Sequence, residues 1–419
     1  MGRRFWGSCD DGEYVRRGFW ANWISFFRIS LSQREFAEIV RRAFEESGSP
    51  GLEYREAEFA LKFPGRDASV FLHNSYANFC SSPLSARSEV VSRLVAGFTA
   101  TPDIHGDFAA ARSHLMPAVR DAAYESLSQL LSGKEELDPG KKWQYRPLVD
   151  DLIVGLVYDT EHTITTVNHN KLNQWETGLD DALKIAKENL WERADPQRLT
   201  GKGGMYWGEW GDSYDSLRML LTEFIYRLDV DGDPVAYIPN RDALMVTGKR
   251  NTAGLRVILN AGAETHFKSG HPLSPDLFLL ENGVWKTYIP EDPALQEIWR
   301  STRRNRDAAD YSHQKQLLDK LQGSDGVFVA SFMMFKSKDG VEFSACAWTK
   351  DVDTSMPRTE FVGLVTQVES KERVLVRWDD VMSVAGNLLE PDPRPIPPRY
   401  RARQFPSDEQ MAQLRRVAK

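Results

Sequence analysis

The stretch MYWGEWGDSYDS, residues 205–216, brings aromatic rings and carboxylates together in one short segment. Aromatic faces combined with carboxylates suit a bound cation or a stacked ring. Three glycines, at positions 204, 208 and 211, would let the backbone approach a ligand closely. The candidate ligand-binding residues of this aromatic-acidic loop are Trp207, Glu209, Trp210, Asp212, Tyr214 and Asp215.

A second polar group lies in VAYIPNRDALMVTG, residues 235–248. Its centre, PNRD, is made of turn-forming residues, and β-forming runs stand on either side. This pattern predicts a β-hairpin with strands at 235–238 and 244–247.

Arg241 and Asp242 of this turn complete the set of candidate ligand-binding residues. If a helix capped by Asp212 packs on the hairpin, Arg241 would reach Asp212 or Asp215. A bidentate pair between the guanidinium and a carboxylate would then clamp the turn to the helix cap. The alternative is that Arg241 faces an open cleft and meets an anionic group of a substrate.

The sequence lacks the residue spacing that several common catalytic and metal-binding motifs require. The acidic turn at 229–233 has glycine in its fourth position, whereas a calcium loop needs glycine sixth and glutamate twelfth. TGKGG at 200–204 lacks the spacing of a phosphate-binding loop, and neither a Gly-x-Ser-x-Gly elbow nor an H-E-x-x-H motif occurs. Among the eight histidines, the closest pairs, His162 with His169 and His266 with His271, show neither helical ligand spacing nor a nearby cysteine. The sequence therefore predicts no metal and no cofactor, and it leaves the catalytic residues unknown.

The composition is typical of a globular protein. Of 419 residues, 41% are hydrophobic and 27% charged, and the formal net charge of −7 disfavours generic binding to nucleic acid or anionic membranes. No apolar run approaches a membrane span. The three cysteines, Cys9, Cys80 and Cys346, are too far apart for a disulfide framework. We therefore expect a cytoplasmic protein whose aromatic N-terminal arm packs against the body.

The C-terminal segment, residues 391–419, is proline-rich and basic. Its arginines Arg394, Arg399, Arg401 and Arg403 could dock on a protein or contact the phosphates of a nucleic acid. The alternative is a solvated extension whose removal leaves the fold intact.

Hydrophobic periodicity predicts an α+β fold, with mixed or antiparallel sheets, packed helices and a C-terminal antiparallel β-meander. The capping box Ser32-Gln-Arg-Glu35 begins the first helix. The predicted segments are an N-terminal α+β domain of helix, three strands and helix (1–130), a central α+β domain (142–290), a helix with the β-meander (291–390) and a tail (391–419).

Four stretches occur in a recognisable order and spacing. They are FLHNSYANF (71–79), HLMPAVRD (114–121), the segment from Leu152 through DDALKIAKENL (180–190), and GDSYDSLRMLL (211–221) with GDPVAYIPNRDALMVTG (232–248). Over about residues 30–270 the chain thereby resembles the YtpQ-like family of bacterial proteins, a domain of unknown function. The resemblance implies a bacterial, intracellular α+β protein, and it implies no reaction, cofactor or active site.

These observations favour a non-catalytic binding or interaction module for a protein or small-molecule partner. It would use either the aromatic-acidic loop or the β-rich C-terminal part. The alternative is a hydrolase with its acidic-aromatic site at 205–216 near Arg241, so whether the chain is an enzyme stays open. The hydrolase hypothesis, unlike the binding-module hypothesis, requires Asp212, Asp215 and Arg241 to line an open pocket in which burial raises the pKa of a carboxyl group.

Overall fold

The computed structural model describes residues 31–65, 69–99, 104–131, 140, 142–160, 163–268, 271–322, 326–366, 374–392 and 394–418. The N-terminal arm with Cys9 lies outside these residues. The chain divides into two compact units. Unit 1 takes residues up to Met116, Val157–Thr166 and Phe267–Pro272, and unit 2 takes Pro117–Leu156, Val167–His266 and Leu273 onward.

Unit 1 is built around its first helix. Ser32 Oγ accepts the Glu35 N–H at 3.3 Å and Glu35 Oε2 accepts the Ser32 N–H at 2.8 Å, so the predicted capping box is confirmed. The apolar face of this helix is buried in a core with residues of a three-stranded antiparallel sheet, β1-β2-β3. The elements are α1 Gln33–Glu46, β1 Glu53–Arg55, β2 Ala60–Lys62, β3 Ser69–Phe71, α2 His73–Ser81, α3 Arg87–Thr99, α4 Phe108–Ala111 and β7 Ile164–Thr166.

Unit 2 contains a six-stranded antiparallel sheet in the order β13-β12-β10-β11-β9-β8. Val235 pairs with Thr247 and Tyr237 with Met245, which confirms the predicted hairpin. Two strands, β4 Leu115–Asp121 and β6 Leu152–Asp159, run from one unit into the other. The remaining elements up to the long helix are α5 Ala122–Leu131, β5 Tyr145–Val149, α6 His169–Gln174, α7 Leu179–Glu192, β8 Leu199–Lys202, β9 Met205–Gly208, α8 Thr222–Tyr226, β10 Pro234–Tyr237, β11 Met245–Gly248, α9 Thr252–Lys268, β12 Leu277–Glu281, β13 Val284–Tyr288 and α10 Pro293–Gln322.

The C-terminal part of unit 2 forms two four-stranded sheets, β15-β16-β18-β19 and β14-β17-β21-β20. They share a core that includes the tryptophans Trp348 and Trp378. The elements are β14 Phe328–Val329, β15 Met333–Lys336, β16 Glu342–Thr349, β17 Thr354–Pro357, β18 Phe361–Val365, β19 Val374–Arg377, α11 Trp378–Ala385, β20 Leu389–Asp392, β21 Arg399–Ala402 and α12 Asp408–Val417.

The α+β class is confirmed, and three details of the predicted organisation are corrected. The strands β16 and β18 pair in parallel, because β17 leaves their sheet for the other one, so the C-terminal strands are not a simple antiparallel meander. The two units also do not follow the four predicted segments. The predicted tail, residues 391–419, is folded: it completes β20 and forms β21 and α12.

Candidate functional site

Asp215 closes the aromatic-acidic loop on itself. Its Oδ1 accepts the Trp210 N–H at 3.0 Å and its Oδ2 accepts the Gly211 N–H at 3.1 Å. The residue is 1% exposed, and burial raises the pKa of its carboxyl. Gly208 must be glycine here, because a Cβ would lie 2.3 Å from the Trp210 ring. Asp215 therefore holds the loop backbone, and its two oxygens already have partners.

Arg218 is the partner of Asp212. Its guanidinium donates to Asp212 Oδ1 at 3.0 Å and to Oδ2 at 2.6 Å, and it also donates to the Arg193 carbonyl at 3.0 Å. It lies 4.2 Å from the centre of the Trp210 ring and is fully buried. Burial alone would raise the pKa of Asp212, but the hydrogen bonds and charge of Arg218 outweigh it and hold that pKa below its usual range. We call Trp210, Asp212, Asp215 and Arg218 the loop knot.

The aromatic residues of the loop are held by similar internal contacts. The Trp210 indole N–H donates to the Asp195 carbonyl at 3.0 Å, and the Trp207 indole N–H donates to Glu209 Oε1 at 3.1 Å. Tyr214 is 4% exposed. Both buried carboxylates and both tryptophan indoles of the loop therefore have hydrogen-bond partners within the protein, which favours a structural role for the loop.

Arg241 does not clamp the loop, so the predicted pairing is wrong. Its Nε contacts Asp242 Oδ1 at 3.3 Å, and about a third of its side chain is exposed. The turn and the loop do meet, but through the backbone, because the Ser216 N–H donates to the Arg241 carbonyl at 3.2 Å. Asp212 also does not cap a helix directly: its Oδ1 accepts the Tyr214 N–H at 3.0 Å, ahead of a 3₁₀ turn at Ser216–Leu220.

Replacing Arg241 by alanine should therefore change the free energy of unfolding by less than about 0.5 kcal/mol, because exposed ion pairs contribute little. Urea denaturation of the variant beside the parent protein measures this difference. A loss above about 2 kcal/mol would mean that the side chain makes a buried ion pair after all.

The arginines nominated as a partner-binding surface of the tail are engaged within the fold. Arg399 is fully buried. The other three arginines form ion pairs, Arg394 with Asp392 at 2.8 Å, Arg401 with Asp353 at 2.8 Å and Arg403 with Glu390 at 3.4 Å. Arg394 and Arg403 keep 69% and 59% of their side chains exposed, so anion binding by this segment stays a prediction.

A concavity of about 770 Å³ lies at the other end of the β8–β9 hairpin. Its lining includes Gly203, Gly204 and Asn251, with both glycines at positive φ, and it continues onto the start of α9. The charges in the lining have both signs, and Arg250 pairs with Asp231 at 2.8 Å. Two glycines of the TGKGG stretch at 200–204, Gly203 and Gly204, form part of this lining. Because acidic and basic side chains both line the concavity, its charge does not favour one class of ligand.

The described residues give no indication of a reactive Cys346 or of a metal-binding group. Burial raises the pKa of the Cys346 thiol to about 11, as expected of an unreactive buried cysteine. Within the residues that the structure describes, no group of three or more His, Cys, Asp or Glu side chains is arranged to hold a metal ion. The absence of a resident metal stays a prediction.

The edge strand β15 is a second candidate site, which sequence reasoning located only as the β-rich C-terminal part. Met334 stands opposite Ser344, and Phe335 opposite Phe343. The Ser337 N–H donates to the Val341 carbonyl at 2.8 Å, which makes this pair a hydrogen-bonded one. Such pairs alternate along an antiparallel ladder. The backbone groups of Met333 and Phe335 therefore face β16, and those of Met334 and Lys336 face away from it.

A contact on the far side of β16 supports this assignment. The Ser344 N–H donates to Glu360 Oε2 at 2.7 Å, on the side where β18 lies, and so does not point at Met334. Among the described residues, β15 has a strand partner on β16 only. Its outer N–H and C=O groups are thus placed where an added strand would pair.

The side chains around this edge are unusually apolar. FMMF at 332–335 is an uninterrupted apolar run, with Met334 37% and Phe335 40% exposed, and Val341 in the following turn is 60% exposed. Natural edge strands are commonly protected by charges, prolines or bulges. Contiguous exposed apolar surface marks interaction sites, and methionine adapts well to varied partners.

Comparison of the chain with protein-family models, with curated proteins and with solved structures found no match. None of the helices in the described part of the chain is long and apolar enough to span a bilayer.

Proposed function

We propose that this chain is a non-catalytic, cytoplasmic protein-binding module of the YtpQ-like type, which captures an extended peptide segment by adding it as a strand to β15. The observation that carries the proposal is the row of outward backbone groups at Met334 and Lys336 beside exposed apolar side chains. In strand addition, main-chain hydrogen bonds supply affinity and alternate side chains supply specificity. In the loop knot, the carboxylates of Asp212 and Asp215 are already bonded within the protein, which supports a binding role elsewhere over the hydrolase alternative.

The chemistry of the edge defines the partner. An added strand would place alternate residues beside Met333 and Phe335, whose side chains share one face of the sheet, so the segment needs apolar side chains at alternate positions. Lys336 has 66% of its side chain exposed, and Lys338 follows in the turn. An acidic residue in the segment, near these lysines, would add a favourable charge contact. The cytoplasmic assignment is supported by the free thiols of Cys80 and Cys346.

Selection from a displayed library of random peptides tests the proposal on the full chain. We expect enriched peptides with alternating apolar residues, and Met334→Pro should weaken their binding at least tenfold, because proline removes the outward N–H while leaving the bonds to β16 in place. Met334→Thr is the matched control: it trims the side chain, keeps the N–H and should retain most of the affinity.

Two results would count against strand addition at β15: a selection that enriches no peptide, or equal binding by the parent protein and Met334→Pro. Circular dichroism of both variants checks that they are folded. Sedimentation across a concentration series distinguishes an added peptide from a second copy of the chain, since self-pairing through β15 would appear as a dimer that Met334→Pro dissociates.

A further inference from the structure

One buried guanidinium in unit 2 is surrounded by four carboxyl groups. Arg306 on α10 is 5% exposed. Its nitrogens lie 2.7 Å from Asp310, 2.8 Å from Asp121, 3.0 Å from Asp151 and 3.8 Å from Asp307. The carboxyl groups come from different parts of the chain: Asp121 ends β4, Asp151 stands in the β5–β6 turn, and the other two lie on α10. The cluster therefore ties α10 to both of these segments.

A second guanidinium extends the same cluster. Arg303, one turn earlier on α10, lies 3.1 Å from Asp276 and 3.6 Å from Asp150. Asp276 also accepts the Trp299 indole N–H at 2.6 Å. Burial, and then the hydrogen bond between the carboxyl groups of Asp150 and Asp276, raise the pKa of Asp150 to about 6. The neighbouring carboxyl group of Asp276 thus disfavours the charged form of Asp150.

The cluster has more carboxyl groups than its two arginines can neutralise. Six aspartates, at positions 121, 150, 151, 276, 307 and 310, face Arg303 and Arg306. Burial raises the pKa of Asp310 to about 7 and that of Asp307 to about 6, against the attraction of Arg306, and it also raises the pKa of Asp121. Asp307 and Asp310 therefore titrate near neutral pH.

We propose that the cluster around Arg306 is a proton-operated clasp, which takes up protons as the pH falls from about 8 to about 5 and then holds α10 more firmly to the end of β4 and the β5–β6 turn. The direction follows from linkage: these carboxyl groups bind protons at a higher pH in the folded chain than in the unfolded chain. The contribution of Asp150, Asp307 and Asp310 to stability is therefore smallest above about pH 7, where they are charged, and it rises as the pH falls through 7 and 6.

Among the described groups near the cluster, His266 acts in the opposite sense. It is 4% exposed, and burial lowers its pKa, with a further contribution from the charge of Arg306. In the folded chain His266 resists protonation. It therefore lowers the stability of the fold as the pH falls below 6.5, the ordinary pKa of a histidine. A carboxyl variant separates the two contributions, because it alters the clasp and leaves His266 in place.

Urea unfolding of the full chain at about pH 5.5 and pH 8 tests the clasp, with hydrogen exchange of α10 as the local readout. We expect a higher urea midpoint, and slower exchange after correction for intrinsic rates, at pH 5.5. Asp310→Asn should raise the midpoint at pH 8 and reduce its dependence on pH. Asp319→Asn, which changes a half-exposed carboxylate paired with Lys315 on the same helix, is the matched control and should keep the parent dependence.

The clasp is refuted if the parent midpoint rises from pH 5.5 to pH 8, or if Asp310→Asn keeps the full dependence of the parent. If Asp310→Asn fails to fold, Asp307→Asn serves the same purpose, because Asp307 faces the same guanidinium. Carbon-detected titration of the aspartate side chains in the parent protein then decides the matter without any variant: carboxyl signals that all titrate below pH 5 would overturn the proposal.

Discussion

Replacing Arg218 by alanine is expected to lower the free energy of unfolding by about 3–5 kcal/mol, the range for removing one partner of a buried ion pair. The change leaves the half-buried carboxylate of Asp212 without its bidentate partner and the Arg193 carbonyl without its donor. It also removes the cation that lies over the Trp210 ring. Chemical denaturation followed by tryptophan fluorescence measures the loss.

Arg241→Ala is the natural comparison, since it removes the same type of side chain from a nearby exposed position. We expect the two variants to differ by at least about 2 kcal/mol. Equal effects would contradict the structural role of the loop knot. A stable Arg218→Ala protein would instead suggest that Asp212 and Arg218 are held for a ligand, as in a functional site.

Deleting residues 391–419 is expected to abolish the cooperative unfolding of the C-terminal part of unit 2. The deletion removes Met411 and Leu414 from the core around Trp378, and burying each such side chain stabilises by about 1.5–3 kcal/mol. It also removes Arg399, which donates to Gln314 and to the carbonyls of Tyr311, Ala330 and Ser355. Together these losses approach the whole stability of a domain, about 5–15 kcal/mol.

Calorimetry of the truncated chain measures this loss as a missing or strongly shifted transition. Removal of Ala418 and Lys419 alone is the control, because it leaves α12 and both sheets complete. A truncated protein that melts within about 5 °C of the parent would restore the interpretation of the segment as a solvated tail.

The sequence predicted those elements whose signals are local. The first helix carries its own capping box, and α7 buries Leu179, Ala182, Leu183, Ala186 and Leu190 as its periodicity indicates. The hairpin at 235–248 has turn residues between β-forming runs. In each case neighbouring residues determine the structure, so a single sequence is sufficient.

The ion pairs of the candidate site could not be predicted in this way. Asp212 and Arg218 are six positions apart and only Arg218 lies in the 3₁₀ turn, so no periodicity joins them. A hint was present, since the arginine stands within the apolar run LRMLL. For the tail, the neglected signal was the capping box from Ser407 to Gln410, which begins α12. Two partners of Arg306, Asp121 and Asp151, come from segments more than 150 positions away and have no signal in sequence spacing.

Hydrogen exchange of the Met334 amide, with and without a selected peptide, tests the proposed function most directly. Strand addition predicts slower exchange at Met334 and Lys336 on binding, and little change at Met333 and Phe335, which already bond to β16. Slower hydrogen exchange confined to the loop at 205–216, with no change at Met334, would contradict strand addition. It would indicate instead that the aromatic-acidic loop is the binding site.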